Sequence, residues 1–329
     1  MSVLSLRDLR VTYRTSSGDV PAVRGVDLDI PKGQVLGLAG ESGCGKSTIA
    51  AAILRLLPRR TSVEGQVLLN GEDVLAMPPR KLRAVRWAGA SIIFQGAMHA
   101  LNPVKRVGDQ IAEAVETHGL SRDREAHVRA GDLLEEVGLP LRRSNDYPHE
   151  LSGGQRQRVM IAMALACGPD LVIADEPTTA LDVMVQAQVL ALLKRLQREF
   201  GLAMLFITHD LSVLGEVSDR LAVMYAGKIV EEGPAQSVFL DPQHPYTRAL
   251  AAAFPAIGDR RFRKHPSGLG GDPPDPQRIP PGCPFHPRCP DAFEACPSTV
   301  PWLFEAGADR RAACLLVEGA LAEATEGTK

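Results

Sequence analysis

The sequence predicts an α/β fold, in which a mainly parallel β-sheet is covered by helices on both faces. Short apolar runs at Val35–Ala39, Leu171–Ala174 and Ala203–Thr208 are typical of buried strands. Longer stretches with helical periodicity, such as Val183–Phe200, lie between such runs. Strands that alternate with helices favour a parallel sheet, because each crossover helix packs back onto a sheet face.

Further elements follow from local patterns along the chain. Residues 3–13 and Val20–Ile30 predict two neighbouring strands joined by a loop at 16–18, which form an N-terminal antiparallel part. A helix is expected after the glycine-rich loop at 40–48, with Ile49, Ile53, Leu56 and Leu57 on one face and Pro58 at its end. Other predicted strands are Val67–Leu69 before the Asn70-Gly71 turn, Ser91–Phe94 and Arg220–Tyr225.

Two segments differ from this α/β pattern. From about residue 97 to 166 the periodicity becomes mainly helical, for example at Val128–Val137, so we expect a helical subdomain. After about Phe254 the composition shifts, and residues 264–290 are rich in Pro and Gly, which disfavours regular helix or sheet. We therefore expect a main domain at 1–255 and a Pro- and Cys-rich tail at 256–329.

Composition limits the class of protein. The chain has 329 residues, 45% of them hydrophobic and 23% charged, which is typical of a globular protein of about two domains. A net charge of −2 disfavours a nucleic-acid-binding surface. There is no apolar run of about 18 residues, and the N-terminus lacks the pattern of a signal peptide. We therefore expect a cytoplasmic protein, in which the six cysteines serve as ligands or free thiols rather than as disulfides.

A glycine-rich loop follows the strand at Val35–Ala39. It matches G-x-x-x-x-G-K-[ST] between a strand and a helix, which is the context that this phosphate-binding motif requires; its residues are Gly40, Glu41, Ser42, Gly43, Cys44, Gly45, Lys46, Ser47 and Thr48. Glycines let backbone N–H groups turn toward phosphate oxygens, and the helix N-terminus adds positive potential. Lys46 is expected to reach the outer phosphates, and the Ser47 hydroxyl is expected to bind Mg²⁺.

Polar side chains follow three of the predicted strands. Asp175 and Glu176 end the run that begins at Leu171, Gln95 ends Ser91–Phe94, and His209 follows Ala203–Thr208. We expect Asp175 to hold Mg²⁺ through water, and Glu176 to orient the attacking water. Gln95 can contact the metal or the water, and His209 can contact the γ-phosphate. In the first strand, Tyr13 is a candidate for stacking on adenine.

A pentapeptide lies between the phosphate loop and the acidic strand: Leu151, Ser152, Gly153, Gly154 and Gln155. Ser152 is a good N-cap for an amphipathic helix predicted at Gln155–Ala166. With this element included, the chain resembles the ATPase subunits of ATP-binding-cassette (ABC) transporters over roughly residues 1–255. The shared motifs occur in the family's order: Tyr13, Gly40–Thr48, Gln95, Leu151–Gln155, Asp175-Glu176, Ala180-Leu181-Asp182 and His209.

The resemblance implies that two cassettes dimerise head to tail. The pentapeptide of one chain would face the ATP held by the phosphate loop of the other, and Asp182 would lie in a dimer-contact loop. ATP and Mg²⁺ are the implied cofactors. The implied partners are a second ATPase subunit, two transmembrane permease subunits and an extracytoplasmic binding protein. The implied location is the cytoplasmic face of a bacterial inner membrane.

Two segments resemble the importers of oligopeptides, dipeptides and nickel within that family. Leu101-Asn102-Pro103 is similar to that branch, although Gly96-Ala97 departs from its usual Asp-Pro after the glutamine. Residues 243–250, Gln-His-Pro-Tyr-Thr-Arg-Ala-Leu, are close to the branch's sequence after the cassette. The resemblance implies ATP-driven uptake of peptides or a related solute. The alternative is an ABC ATPase that acts on nucleic acid or ribosomes.

Four cysteines of the tail, Cys283, Cys289, Cys296 and Cys314, have the spacing C-x5-C-x6-C-x17-C. Four thiols in a cytoplasmic chain suggest a metal site, but the spacing matches neither a zinc knuckle nor a ferredoxin. From the residues alone, zinc, iron–sulfur and unliganded thiols stay open, and His286 could replace one ligand. The tail resembles that of the peptide-importer ATPases, which implies a 4Fe–4S cluster. A separate hypothesis is that the tail is a regulatory or partner-binding module independent of transport.

Overall fold

The computed structural model describes residues 2–96, 100–179, 181–253 and 269–318. The strands in these residues are β1 Ser2–Thr15, β2 Gly18–Pro31, β3 Val35–Ala39, β4 Thr61–Leu69, β5 Glu72–Asp73, β6 Ala90–Ile93, β7 Leu171–Asp175, β8 Ala203–Thr208, β9 Arg220–Tyr225, β10 Lys228–Pro234, β11 Phe304–Glu305 and β12 Arg311–Ala312. The α-helices are α1 Lys46–Ile53, α2 Pro79–Ala88, α3 Val107–Thr117, α4 Asp123–Glu136, α5 Gly153–Leu165, α6 Val183–Phe200, α7 Leu211–Val217, α8 Ala235–Leu240 and α9 Pro245–Ala253.

The larger sheet has eight strands in the order β11-β12-β10-β9-β3-β8-β7-β6. Strands β9, β3, β8, β7 and β6 are parallel to one another, which confirms the mainly parallel sheet. The carboxyl ends of parallel strands meet at one edge, where ligands bind in open α/β sheets. The segments after β3, β6, β7 and β8 therefore lie at the same edge, and these segments carry the predicted nucleotide-site residues.

The N-terminal antiparallel part is also confirmed. Strands β2, β1, β4 and β5 form a separate four-stranded sheet, with Thr15 opposite Gly18 at the β1–β2 turn. The predicted tight turn lies between β4 and β5, where Asn70 and Gly71 have φ values of 50° and 82°. Two successive positive φ values are typical of a type I′ hairpin turn, for which Asn-Gly is a preferred pair.

Several predicted element ends differ from the structure. Helix α1 ends at Ile53, and not at Pro58, because Arg55 adopts a left-handed backbone (φ 49°). Its guanidinium donates to the carbonyl oxygens of Val74 (3.3 Å) and Met77 (2.6 Å), which helps to hold the chain reversal. Leu56 is consequently 44% exposed rather than on the buried helix face. The strand predicted at Ser91–Phe94 is β6, which ends one residue earlier, and Phe94 is 43% exposed.

Helices α3, α4 and α5 form the helical region between β6 and β7. They pack through buried apolar residues such as Ile111 on α3, Leu134 on α4 and Val159 on α5. The predicted helix at Val128–Val137 corresponds to α4. The predicted start of this region, residues 97–99, lies outside the described residues, so its bounds at about 97–166 stay a prediction.

The tail contributes to the larger sheet. Strand β12 pairs with β10 through Glu231 opposite Ala312, and β11 pairs with β12. Sequence reasoning missed these strands because each has only two residues. Over the described part of the Pro- and Gly-rich stretch, 269–290, the only helix is the three-ten turn His286–Arg288, in agreement with the prediction. Residues 254–268 lie outside the described residues, so the domain boundary near 255 stays a prediction.

His244 is a buried link between α9 and the larger sheet. It is 2% exposed, and its Nδ1 accepts a hydrogen bond of 3.0 Å from the N–H of Tyr246. The backbone N–H of His244 donates to the buried carboxylate of Glu231 at 2.9 Å. Burial lowers the pKa of His244 from its ordinary value of 6.5 to about 3. The imidazole is therefore neutral in the folded chain across the physiological range.

We expect His244 to make the fold acid-sensitive. Below pH 6.5 the unfolded chain protonates this imidazole and the folded chain does not, so the free energy of unfolding falls as pH falls from 6.5 toward 3. His244→Asn keeps an acceptor for the Tyr246 N–H but does not titrate. Between pH 7 and 5.5, the free energy of unfolding measured in urea should fall by about 1 kcal/mol more in the native chain than in this variant. Equal losses would contradict the assignment.

Candidate functional site

The phosphate loop, Gly40–Thr48, connects β3 to α1 as predicted. All three of its glycines have backbone conformations that other residues rarely adopt, with φ 151° at Gly40, 79° at Gly43 and 112° at Gly45. A Cβ on Gly45 would lie 2.3 Å from the carbonyl oxygen of Ala22, and one on Gly40 would lie 2.3 Å from that of Met224. Glycine at both positions lets the loop pack tightly against the neighbouring chain.

Lys46 is held inside the curve of this loop. Its ammonium donates to the carbonyl oxygens of Gly40 (2.7 Å) and Glu41 (2.8 Å), and the residue is only 5% exposed. Within the described residues no side chain caps α1, which begins at this lysine. Its N-terminal N–H groups therefore supply a positive end, and the loop combines this dipole with a fixed cation, an arrangement that suits phosphate.

Ser47 and Asp175 bring oxygen atoms together beside the loop. The Ser47 hydroxyl donates to Oδ1 of Asp175 at 3.2 Å, and Asp175 ends β7. Burial raises the pKa of Asp175, and the hydrogen bond from Ser47 opposes this shift. A divalent cation would stabilise the ionised carboxylate. Because Mg²⁺ prefers oxygen ligands, this donor pair fits the predicted metal site.

Glu176 lies where three strand ends meet. Its carboxylate accepts from Gln95 Nε2 at 2.8 Å and from Thr179 Oγ1 at 2.9 Å, and it contacts His209 Nδ1 at 3.3 Å. Its φ is 46°, a strained value for a glutamate, which is typical of functional positions. The structure thus brings together three residues that the sequence singled out separately. Thr179 was missed, although it follows Glu176 by three residues.

Tyr13 lies at the far end of the phosphate loop. Its hydroxyl is 3.1 Å from Oγ1 of Thr48, and the residue is partly buried. The Tyr13 ring therefore lies beside the phosphate loop, which is the location expected of a side chain that contacts the nucleotide. Its stacking on adenine stays a prediction.

The pentapeptide forms the start of α5, which begins at Gly153, two residues before the predicted Gln155. Ser152 is the N-cap: its Oγ accepts from the N–H of Gln155 at 3.3 Å, and Gln155 Oε1 accepts from the N–H of Ser152 at 2.9 Å. This capping box fixes the helix end. Leu151 is buried beneath it, at 3% exposure.

The predicted dimer-contact loop lies next to this helix. Asp182 caps α6, where its Oδ1 accepts from the N–H of Val185 at 3.0 Å. A Cβ on Gly154 would lie 2.4 Å from a methyl group of Val185, so a glycine permits the close contact between α5 and α6. Ala180, the first residue of this segment's motif, lies outside the described residues.

The segment after Gln95 is only partly described. Ala97, Met98 and His99 lie outside the described residues, so the departure at Gly96-Ala97 has no structural account. Leu101 is buried at 3% exposure, and the N–H of Asn102 donates to Gln110 Oε1 on α3 at 2.8 Å. The Leu-Asn-Pro sequence is thereby fixed to the helical region.

The four tail cysteines have free thiols. The N–H of Cys283 donates to the carbonyl oxygen of Cys296 at 2.9 Å. Burial raises the pKa of Cys283, and the charges of Cys296 and Cys314 raise it further. Burial also raises the pKa of Cys289, to about 11, and the charges of Cys283 and Cys314 contribute. The thiols therefore share one electrostatic environment.

The structure does not support the metal site predicted at the tail cysteines. Among residues 2–96, 100–179, 181–253 and 269–318, no three or more His, Cys, Asp or Glu side chains converge where they could hold a metal ion. His286 Nδ1 lies 2.9 Å from the carbonyl oxygen of Cys283, and its replacement of one ligand stays a prediction. The described residues show no such ion site, so the 4Fe–4S cluster stays a prediction.

Comparison with known proteins places the chain in a family. A model described as "ABC transporter" matches residues 23–179. The dipeptide transport ATP-binding protein DppD of Bacillus subtilis is 45% identical over 303 residues, which cover 91% of this chain and 90% of DppD. The chain belongs to the ABC transporter family. A second model, "Oligopeptide/dipeptide transporter, C-terminal region", matches residues 230–296.

Other relatives agree with this membership. The oligopeptide transport ATP-binding protein OppD of Salmonella typhimurium is 46% identical over 301 residues, covering 91% of this chain and 89% of OppD. A dimeric post-hydrolysis structure of the ATP-binding cassette MJ0796, bound to ADP and Pi, is 29% identical with a TM-score of 0.63. It covers 70% of this chain and 98% of that one. The fold is thus that of an ABC cassette, and the protein is an ATP-hydrolysing enzyme of this family.

Proposed function

We propose that this chain is the ATP-hydrolysing subunit of an importer that takes up dipeptides, oligopeptides or a related solute. The observation that carries the proposal is the combination of a complete nucleotide site with a C-terminal region similar to that of oligopeptide/dipeptide transporters. The relatives DppD and OppD are named as dipeptide and oligopeptide transport ATP-binding proteins.

The experiment is to purify the chain with the membrane proteins that accompany it and to reconstitute the assembly in vesicles. ATP-dependent accumulation of a labelled peptide, absent when Glu176→Gln replaces the native chain, is the expected result. Co-purification with ribosomes or nucleic acid and no membrane protein would instead favour the alternative, an ABC ATPase that acts on those partners. The net charge of −2 does not favour that alternative.

Each residue of the site has a proposed role. The N–H groups of the phosphate loop and the ammonium of Lys46 bind the phosphates. Ser47, Gln95 and Asp175 would hold Mg²⁺, which would neutralise phosphate charge. Glu176 accepts a proton from the attacking water or orients it, His209 contacts the γ-phosphate, and Tyr13 stacks on adenine. The contacts of Glu176 with Gln95 and His209 support these roles, because they already place the three groups together.

We further infer that hydrolysis takes place between two cassettes. Leu151–Gln155 would contact the ATP of the partner cassette, and Asp182 would lie in the dimer contact. The capped end of α5 supports this, since Ser152 is exposed and a helix N-terminus favours an anion. A related cassette, MJ0796, has been solved as a dimer. The second cassette would be a copy of this chain or a different ATPase.

The remaining partners are two permease subunits in the membrane and an extracytoplasmic binding protein. No helix of the described residues is long and apolar enough to span a membrane. We propose that the chain binds peripherally at the cytoplasmic face of the bacterial inner membrane, with an ATPase domain at 1–255 and an extension at 256–329.

We also propose that the four tail cysteines ligate a 4Fe–4S cluster. Thiol chemistry and the match to the oligopeptide/dipeptide transporter C-terminal region support this, although the described residues form no metal-ion site. Bound iron would hold the thiols ionised despite the burial that raises their pKa. An anaerobically purified sample should be brown, with about four irons per chain; a colourless, iron-free sample would refute the cluster, and zinc without iron would favour the other metal.

A further inference from the structure

The tail contacts the phosphate loop through one buried ion pair. Arg288, in the three-ten turn His286–Arg288, donates to both carboxylate oxygens of Glu41, at 2.8 and 3.0 Å. Its side chain is 7% exposed and that of Glu41 is 21% exposed. A bidentate pair of this kind fixes direction as well as distance. Glu41 is the second residue of the phosphate loop, so a residue near the end of the chain holds the start of the nucleotide site.

Arg288 is itself held in place. Its guanidinium lies 6.0 Å from the ring centres of both Tyr225 and Phe285. Its hydrogen bonds to Glu41 raise its pKa, so it is always charged. Its Nε donates to the carbonyl oxygen of Gly270, which also belongs to the tail. The Arg288 side chain is therefore packed and hydrogen-bonded along its length. It has little conformational entropy left to lose when ATP binds.

The backbone of Glu41 is held from the same side. Its N–H donates to the hydroxyl of Tyr246, on α9, at 2.9 Å. The ring of Tyr246 is fully buried and packs against Tyr225 and Phe285, with ring centres 4.6 and 5.4 Å away. One aromatic cluster therefore supports both contacts. The carbonyl oxygen of Glu41 accepts from Lys46, so its position bears directly on the phosphate-binding ammonium.

The tail also borders the loop on its outer side. A cavity of about 420 Å³ lies between Glu41, Ser42 and Gly43 on one wall and Pro273–Pro276 on the other. The N-terminal sheet is reached as well, since Gln277 Nε2 donates to Ser17 Oγ at 3.2 Å. This part of the tail thus runs beside the loop and also contacts the β1–β2 turn.

We propose that Arg288 is a positioning residue for the phosphate loop, through which the tail sets the affinity of the enzyme for ATP. A loop that already has its binding geometry loses less entropy when a ligand binds. The ion pair between Arg288 and Glu41 restricts the conformational freedom of the start of the loop, next to Gly40. It does not touch the water-activating groups around Glu176, so it acts on binding rather than on the chemical step.

The test compares ATP binding and turnover in variants of the full-length chain. Arg288→Met keeps most of the side-chain length and the apolar contact with the rings of Tyr225 and Phe285, but it removes the guanidinium that binds Glu41. Glu41→Gln weakens the same link from the loop side. Each should raise the Kd for Mg-ATP about tenfold, and Arg288→Met should keep kcat at saturating ATP within about twofold of the native value. The double variant should bind ATP no more weakly than Arg288→Met alone, because Arg288→Met already removes the contact. Arg288→Lys should recover part of the affinity.

Arg310→Met is the matched control. Arg310 is a buried tail arginine, 9% exposed, paired at 3.2 Å with the fully buried Glu231, and it does not contact the phosphate loop. This variant should lower the thermal midpoint and leave the Kd unchanged. If it weakens ATP binding as much as Arg288→Met, the effect is a general loosening of the tail and the proposal is wrong. It is also wrong if Arg288→Met and Glu41→Gln bind ATP normally. If Arg288→Met does not fold, Glu41→Gln decides, because it leaves the tail intact.

Discussion

Glu176→Gln is expected to abolish turnover while ATP still binds. The amide keeps the size of the carboxylate, and its oxygen can still accept from Gln95 and Thr179. In the native chain Gln95 Nε2 and Thr179 Oγ1 lie 2.8 and 2.9 Å from the Glu176 carboxylate. It cannot take a proton from the attacking water, and general-base catalysis of this kind contributes about 10²–10⁴ in rate. We therefore expect kcat to fall at least about hundredfold, with the Kd for Mg-ATP within about threefold of the native value. Phosphate release and equilibrium binding measure the two quantities.

Glu199→Gln serves as the control for this substitution. Glu199 is an exposed carboxylate at the end of α6, where it pairs with Arg195 at 2.6 Å, and it has no contact with the nucleotide site. That variant should hydrolyse ATP at the native rate. Near-normal hydrolysis by Glu176→Gln would refute the role of Glu176. A comparable loss in binding and turnover would instead indicate that the site had collapsed.

Ser152→Asp is expected to stop hydrolysis in the assembled dimer without weakening the chain's own hold on ATP. Aspartate is as good an N-cap as serine, so α5 keeps its first hydrogen bond. Its charge would face the γ-phosphate of the partner's ATP, where like charges about 5 Å apart cost about 3 kcal/mol at an effective dielectric of about 20. Turnover should fall at least about hundredfold, and ATP binding by the isolated chain should not change.

Ser152→Asn separates the charge from the change of side chain. Asparagine also caps helices well and carries no charge, so this variant should retain most of the activity. Equal losses in Ser152→Asp and Ser152→Asn would point to geometry rather than to a facing phosphate. Weakened ATP binding by the isolated Ser152→Asp chain would mean that the pentapeptide serves the chain's own nucleotide, and the shared site would be wrong.

Local patterns predicted the strands of the sheet well, because a buried strand is an apolar run whatever lies beside it. The runs at β3, β8 and β9 were predicted with the bounds that the structure has. The end of α1 was missed, because the positive φ of Arg55 is held by carbonyl oxygens of residues 74 and 77, which no local pattern contains. The two-residue strands β11 and β12 were missed for a similar reason, since they exist through pairing with β10.

The candidate site divides in the same way. Spacing was enough to select Lys46, Asp175, Glu176 and His209, because phosphate loops and acidic strand ends are continuous stretches of sequence. Spacing could not select Arg288, which lies 247 residues from its partner Glu41 and follows no motif that names it. Tyr246 lay in a segment that was noted only for its resemblance, and its hydroxyl proves to hold the loop's backbone.

By itself, the sequence determined that this is an ABC ATPase with a complete set of nucleotide motifs, because phosphate chemistry requires certain residues at fixed spacing. Only the tertiary structure decided which distant groups hold that site in place. It put the tail's Arg288 on the phosphate loop, and among the described residues it showed no group of side chains that could hold a metal ion. The reason is that such contacts depend on how elements pack across the sheet, and packing leaves no periodic signal along the chain.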